Sequence, residues 1–129
     1  MRFVKEIVTI VVILIIVFST EYITSKNLNE AVSWMKDGLT SMENKMNENK
    51  ESEAQEEFCS LEEKWKKEVE KLSLFVEHNE LENVSNYIVV IESNFETNDT
   101  DKVMENLAEL KFLLDHIEEK NQLKLKNIF

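Results

Sequence analysis

The near absence of glycine and proline constrains this chain more than any other feature of its sequence. Its 129 residues contain one glycine, Gly38, and no proline. Tight turns, phosphate-binding loops and nucleophile elbows draw on these two residues, because glycine tolerates positive φ angles and proline fixes φ. The chain is instead rich in glutamate, lysine, leucine and asparagine, and the first three of these favour helices. The sequence therefore predicts an all-α fold of long helices joined by short connections.

A long apolar run lies near the N-terminus. Twelve residues from Ile7 to Phe18 are interrupted by a single threonine. A helix from Phe3 to Ile23 would be about 31 Å long, which matches a hydrocarbon core of about 30 Å. We expect residues 1–23 to form a transmembrane anchor with a short cytoplasmic N-terminus. The side chains expected to span the membrane are Ile7, Val8, Ile10, Val11, Val12, Ile13, Leu14, Ile15, Ile16, Val17 and Phe18.

Two other interpretations of this run stay open. A charged start, here Arg2 and Lys5, followed by a short apolar core is also typical of a cleaved signal peptide, although no Ala-x-Ala site follows. The third interpretation is a buried core helix, which is disfavoured because the rest of the chain is too polar to cover it. If the run is an anchor, the preceding Arg2 and Lys5 place the N-terminus in the cytoplasm and the residues after about 24 outside the cell membrane.

Apolar residues recur at steps of three and four in four segments, which predicts four amphipathic helices. We expect these helices over about 25–48, 51–77, 80–96 and 101–121, the first continuous with the anchor. The spacing of Asn79 and Glu82 predicts a capping box at the start of the third helix. The expected core positions are Leu28, Val32, Met35, Leu39, Met42 and Met46, then Phe58, Leu61, Trp65, Val69, Leu72 and Val76, then Leu81, Val84, Ile88, Ile91 and Phe95, and finally Val103, Leu107, Leu110, Leu114 and Ile117.

The connections between these segments are short, which favours antiparallel neighbours. Residues 24–122 are therefore expected to form an antiparallel four-helix bundle, or two packed helical hairpins. A long parallel coiled-coil dimer is disfavoured because the apolar seam is interrupted near residues 50, 78 and 98. Residues 123–129 form a tail that alternates apolar and basic residues. Its last two side chains, Ile128 and Phe129, are expected to dock in a groove of the bundle or of a partner.

No catalytic, cofactor-binding or metal-binding residues are predicted. The chain has two histidines, His78 and His116, and neither completes the Glu-x-x-His pair of a di-metal bundle. Its one cysteine, Cys59, is expected to be a small half-buried residue, and no P-loop, dinucleotide fingerprint or HExxH motif is present. The formal net charge of −11 makes nucleic acid and anionic lipid poor partners. We therefore expect a protein that is not an enzyme and needs no cofactor.

Several short motifs accompany the N-terminal run: Lys64-Trp65, Asn94-Phe95-Glu96, the segment ELKFLLD at residues 109–115, and Asn127-Ile128-Phe129. In this combination the chain resembles an uncharacterised family of small membrane-anchored helical proteins from clostridia-like, spore-forming bacteria. The family is described as a domain of unknown function, so the resemblance implies no activity. It implies a bacterial cell membrane location, with the helical domain outside the membrane.

One expectation about function follows, with one alternative. We expect a non-enzymatic, single-pass accessory or scaffold protein that contacts the lipid bilayer through its N-terminal helix and binds another membrane or envelope protein. The alternative is an extracytoplasmic ligand- or cation-binding module, secreted if the N-terminal segment is cleaved.

Overall fold

The computed structural model describes residues 2–73 and 77–128, without the side chains of Leu125 and Ile128. Within these ranges the chain forms four helices and no strand. They are α1 (Arg2–Asn47), α2 (Glu51–Leu72), α3 (His78–Glu96) and α4 (Thr100–Ile128). The all-α prediction is confirmed.

The first helix, α1, is a single helix of 46 residues. Its two halves differ in composition, because an apolar run is followed by a segment with apolar residues every three or four positions. From Leu28 to Met46 the predicted seam is buried without exception. Before Ser25, the helix has no buried residue among those described. The predicted continuity between the apolar run and the first bundle helix is therefore confirmed.

The turn after α1 reverses the chain within three residues. Asn49 adopts a φ of 62°, a left-handed conformation that asparagine tolerates better than most residues. The amide of Lys50 then donates to the carbonyl of Lys45 at 2.8 Å, which satisfies one of the last carbonyls of the helix. This places α2 antiparallel to α1, with Gly38 facing Leu61 across the contact. The predicted interruption of the apolar seam near residue 50 is confirmed.

Two details of the next connection differ from the prediction. The helix α2 ends at Leu72 rather than near Glu77, and the Ser73 hydroxyl donates to the carbonyl of Glu70 at 2.9 Å, a bond of the kind that competes with helix continuation. The helix α3 begins at His78, so Asn79 lies inside its first turn and the predicted capping box is wrong. Glu77 occupies the N-cap position of α3, and its side chain makes no capping hydrogen bond. The predicted core position Val76 lies outside the described residues.

The turn between α3 and α4 lies near residue 98, where the apolar seam was predicted to be interrupted. Asn98 has a φ of 55°, and the amide of Asp99 donates to the carbonyl of Asn94 at 3.0 Å. The Asp99 carboxylate accepts a bond from the amide of Lys102 at 3.2 Å, which satisfies a free donor at the start of α4. The helix then continues through Ile128, seven residues beyond the expected end at 121.

The helices pack in the order α1, α2, α3 and α4 around one core. The helix α1 packs against both α2 and α4, α3 packs against α4, and the contact between α2 and α3 is thinner. Trp65 and Ser85 bridge that thinner contact with a hydrogen bond of 3.1 Å, and the Phe58 and Phe95 rings lie 5.5 Å apart. The prediction of an antiparallel bundle is confirmed. Buried side chains at most of the predicted core positions, together with Ala31 and Ala54, form this core, and the predicted core residues Leu61 and Val69 are partly buried against it.

Candidate functional site

The apolar half of α1 lies outside the bundle. All eleven side chains predicted to span a membrane are exposed, and so are Phe3 and Val4 before them. Among the described residues, α1 is the one helix long and apolar enough to cross a membrane, and none of its most apolar 18-residue window is buried. The interpretation as a buried core helix is therefore wrong. A membrane anchor and a signal sequence both remain compatible with this helix.

The hydroxyl groups in and beside this segment are satisfied within the helix. Thr9 donates to the carbonyl of Lys5, and Thr20 donates to the carbonyl of Ile16, both at 2.8 Å. In a hydrocarbon environment an unpaired hydroxyl costs free energy, because no water is present to replace the missing bond. These threonines therefore do not oppose insertion into a bilayer.

Polar contacts join the start of the bundle part of α1 to the end of α4. The side-chain amide of Asn121 donates to the Ser25 carbonyl at 3.1 Å and to the Asn29 side-chain oxygen at 2.9 Å. Ser25 and Asn121 are both buried. Asn121 follows Ile117 by four residues, so it continues the core seam of α4 with a polar residue. The contact fixes the register between the two helices where they approach the apolar run.

An open groove lies between α3 and α4 on the outer surface. It has a volume of about 610 Å³ and is lined by Asn83, Tyr87, Ala108, Glu109, Phe112, Leu113 and His116. The Phe112 ring is 77% exposed. A second recess of about 380 Å³ lies on the other side of Phe112, where α4 faces Lys36 of α1. Phe112 thus forms an apolar ridge between two depressions.

The groove between α3 and α4, called the Phe112 groove below, has acidic surroundings. Glu109 lies on the α3 side, and Asp115 and Glu119 lie beside the recess on the α1 side. Lys36 forms ion pairs with Asp115 and Glu118, so it compensates only part of this charge. Burial and the negative Glu109 carboxylate, which accepts a hydrogen bond from the hydroxyl, raise the pKa of Tyr87 above its ordinary value. The groove therefore presents apolar rings within a negative rim.

The family model described as Domain of unknown function (DUF4363) matches residues 22–128. The match covers most of the chain and includes all the bundle helices. The chain belongs to the DUF4363 family. No curated protein and no solved structure matches the chain. The predicted resemblance to a family of unknown function is confirmed to this extent.

The DUF4363 bundle does not gather the residues that were considered for chemistry. Cys59 lies on α2 and is exposed, so the expected half-buried position is wrong. His78 begins α3, and His116 lies on the exposed side of α4. The described residues contain no group of three or more histidine, cysteine, aspartate or glutamate side chains placed to hold a metal ion.

The predicted docking residues lie at the edge of what the structure shows. Phe129 and the side chain of Ile128 lie outside the described residues, so their docking stays a prediction. The residues before them continue α4, and Leu123 is 62% exposed. The DUF4363 bundle therefore has two features that sequence reasoning did not single out, the Phe112 ridge and the Asn121 contact. Both follow from the seam of α4, because Phe112 lies midway between Leu110 and Leu114 and Asn121 continues the spacing after Ile117.

Proposed function

We propose that this protein is a single-pass membrane-anchored adaptor that binds a basic, amphipathic segment of another membrane or envelope protein. The observation that carries the proposal is the division of α1 into an uncovered apolar half and a half that builds the DUF4363 core. Arg2 and Lys5 precede the apolar half, which supports a cytoplasmic N-terminus and a bundle outside the cell membrane.

The continuity of α1 supports an anchor over a cleaved signal. Cleavage near Ser19 would cut the helix less than two turns before the buried Ser25 and its contact with Asn121. An intact α1 instead joins the proposed membrane span to the bundle core as one continuous helix. The protein would then remain attached to the membrane with its DUF4363 domain at the outer surface.

The Phe112 groove supports the partner half of the proposal. A ring that is 77% exposed contributes little to the stability of its own bundle, and aromatic anchors of this kind are common at the centre of protein interfaces. Glu109, Asp115 and Glu119 around it favour a partner segment that carries lysine or arginine beside its apolar residues. A groove between two helices suits a helical segment with that pattern.

The anchor is tested by the intact mass of the protein in membrane and soluble fractions of the expressing cell. We expect the full-length mass in the membrane fraction, and resistance of the bundle to release by high salt or alkaline carbonate. Recovery of a soluble species that lacks about twenty N-terminal residues would establish a cleaved signal peptide instead.

The partner is tested with a photoreactive amino acid at position 112 of the full-length protein in living cells. We expect a covalent adduct with a separate membrane or envelope protein, and mass spectrometry should map the cross-link to a segment rich in basic and apolar residues. A photoreactive residue in place of Val89, which is 63% exposed on α3 and lines neither recess, is the matched control.

Adducts that form equally from positions 112 and 89, or solely between copies of this chain, would contradict the proposed adaptor role. Phe112→Ser should also abolish copurification of the cross-linked protein from a detergent extract. Val89→Ser should not, because it removes a similarly exposed apolar side chain outside the groove.

A further inference from the structure

The register between α1 and α4 fixes how close the end of α4 comes to the apolar run. The two helices are antiparallel, as shown by the pairing of Glu43 with Lys111, Lys36 with Asp115, and Ser25 with Asn121. Near the apolar run the backbone of Ser25 lies opposite Asn121, and each helix rises about 1.5 Å per residue, so beyond this point the two helices pass each other residue for residue. The last seven residues of α4 therefore lie beside residues about 18 to 24 of α1, where the apolar run ends.

Contacts at this end of the bundle agree with that register. Lys124 of α4 and Glu21 of α1 line the same cavity of about 380 Å³. Lys124, Lys126 and Asn127 are exposed, and Leu123 is exposed beside them. The end of α4 thus forms a free helical surface at the level where the proposed membrane span emerges.

The charge of this surface is opposite to that of the whole chain. From Lys120 to Asn127 the sequence contains three lysines and no acidic residue, in a protein with a formal net charge of −11. Lys120 is already paired with Glu77 and Glu80, at 3.2 Å and 2.8 Å. Lys124 and Lys126 form no ion pair in the part of the chain that the structure describes, and Lys26 is exposed at the same level of α1. Glu21, which is half-buried, and the second of the two glutamates at Lys120 together offset two of these charges.

We propose that the end of α4 lies on the outer surface of the bilayer and that Lys124 and Lys126 bind the headgroups of anionic lipids there. This inference rests on the proposed membrane anchor. The lysine ammonium groups are suited to lipid phosphates, and Leu123 is placed to enter the boundary between headgroups and acyl chains. Each lysine near an anionic surface contributes about a fivefold preference for the bound position. The contact gives the bundle a second attachment beside α1, which holds it in one orientation on the membrane.

The test uses the full-length protein in liposomes of phosphatidylcholine, alone or mixed with phosphatidylglycerol. In a Cys59→Ser background, a fluorophore is attached at Asn127→Cys or, as the matched position at the opposite end of the bundle, at Asp101→Cys. Lipids with a spin label on the headgroup then quench fluorophores that lie at the membrane surface. We expect strong quenching at position 127, weak quenching at position 101, and an increase at position 127 when phosphatidylglycerol is added.

Paired charge variants show whether the lysines cause this effect. Lys124→Gln with Lys126→Gln should remove the increase caused by phosphatidylglycerol. Lys50→Gln with Lys102→Gln makes the same change of charge at the far end and should leave the increase intact.

Equal quenching at positions 127 and 101 would overturn the proposed surface contact, and an unchanged response in the Lys124 and Lys126 variant would overturn the role of the lysines. Flotation of the liposomes separates these results from failure of the anchor. Protein that does not float with the liposomes contradicts the anchor and, with it, this inference. Cross-linking at position 112 tests partner binding, and its result is independent of the lipid contact and of the flotation result.

Discussion

The side-chain amide nitrogen of Asn121 lies 3.1 Å from the backbone carbonyl oxygen of Ser25, although the two residues are 96 positions apart. This buried contact joins α1 and α4 at the end of the bundle nearest the apolar run. The same amide donates to the side-chain oxygen of Asn29 at 2.9 Å, so both of its N–H groups face oxygen acceptors. A polar side chain with this geometry sets the relative height of the two helices, because a shifted register would leave it unpaired in the core.

Asn121→Asp should destabilise the bundle by about 2–4 kcal/mol at neutral pH, because a buried carboxylate would face two oxygens without a donor. Burial raises the pKa of such a carboxyl in the folded state, so the loss should diminish as the pH falls through that pKa. Chemical denaturation at several pH values measures the effect. Asn127→Asp is the control, since Asn127 is exposed on the same helix. Equal and small losses in both variants would show that the Asn121 contact contributes no specificity.

Gly38 allows α1 and α2 to approach closely. A Cβ atom at this position would lie 2.7 Å from both Cδ atoms of Leu61. In a Leu61→Ala background, Gly38→Ala should raise the free energy of unfolding by about 1 kcal/mol, the usual gain in helix propensity. In the native background the gain should be cancelled or reversed, because the Leu61 side chain must move. Denaturation of the four proteins of this cycle measures the difference, and equal increments in the two backgrounds would contradict it.

The Trp65 indole donates a hydrogen bond across the contact between α2 and α3, which is the thinnest helix contact of the bundle. Its Nε1–H donates to the Ser85 hydroxyl at 3.1 Å, while the ring is buried. Ser85→Ala should cost about 1–3 kcal/mol, because it leaves a largely buried donor without its acceptor.

Trp65→Phe removes the donor, so Ser85→Ala should cost much less in a Trp65→Phe protein. Thermal denaturation of the single and double variants measures this coupling. The same cost of Ser85→Ala in both backgrounds would show that the bond does not stabilise the contact between α2 and α3.

The Lys36 ion pairs predict a dependence on alkaline pH. Hydrogen bonds to Asp115 and then Glu118 raise the pKa of Lys36 above its ordinary value of 10.5. A group whose pKa is raised in the folded state stabilises the fold fully below its unfolded pKa, and that contribution is lost as the pH rises through the folded pKa. The stability difference between the native protein and Lys36→Gln should therefore be constant near neutral pH and shrink above pH 10.5. Melting temperatures across this range measure it, and a difference that stays constant would contradict the pairing.

The core of the bundle could be predicted from sequence because helical periodicity identifies the buried face without knowledge of neighbouring helices. Met35, Leu39 and Met42 are buried as expected, and so are Leu107, Leu110 and Leu114. The assumption that every core position is apolar was wrong at the end of α4. Asn121 occupies the next core position with a polar side chain, and its partners belong to α1, which no local pattern in α4 reveals.

The helix ends and the candidate site were harder to predict for physical reasons. The capping box suggested by Asn79 and Glu82 does not form because α3 begins at His78, which places Asn79 inside the first turn instead of at the cap. Phe112 lies off the seam, so its position on the outer face could be predicted. The groove beside it could not, because Tyr87 and Asn83 come from α3 and meet α4 only in the folded bundle.

Because α1 is one continuous helix, its length sets the distance of each part of the bundle from the proposed membrane span. Lys36 pairs with Asp115, so Phe112, almost one turn earlier in α4, lies level with the part of α1 near Gly38. With the proposed span ending at Ile23, that point is about 15 residues, or about 22 Å, above the bilayer surface. A continuous helix without proline has no proline kink that would change this height. The length of α1 would then select among membrane partners by how far from the bilayer each one presents its basic segment.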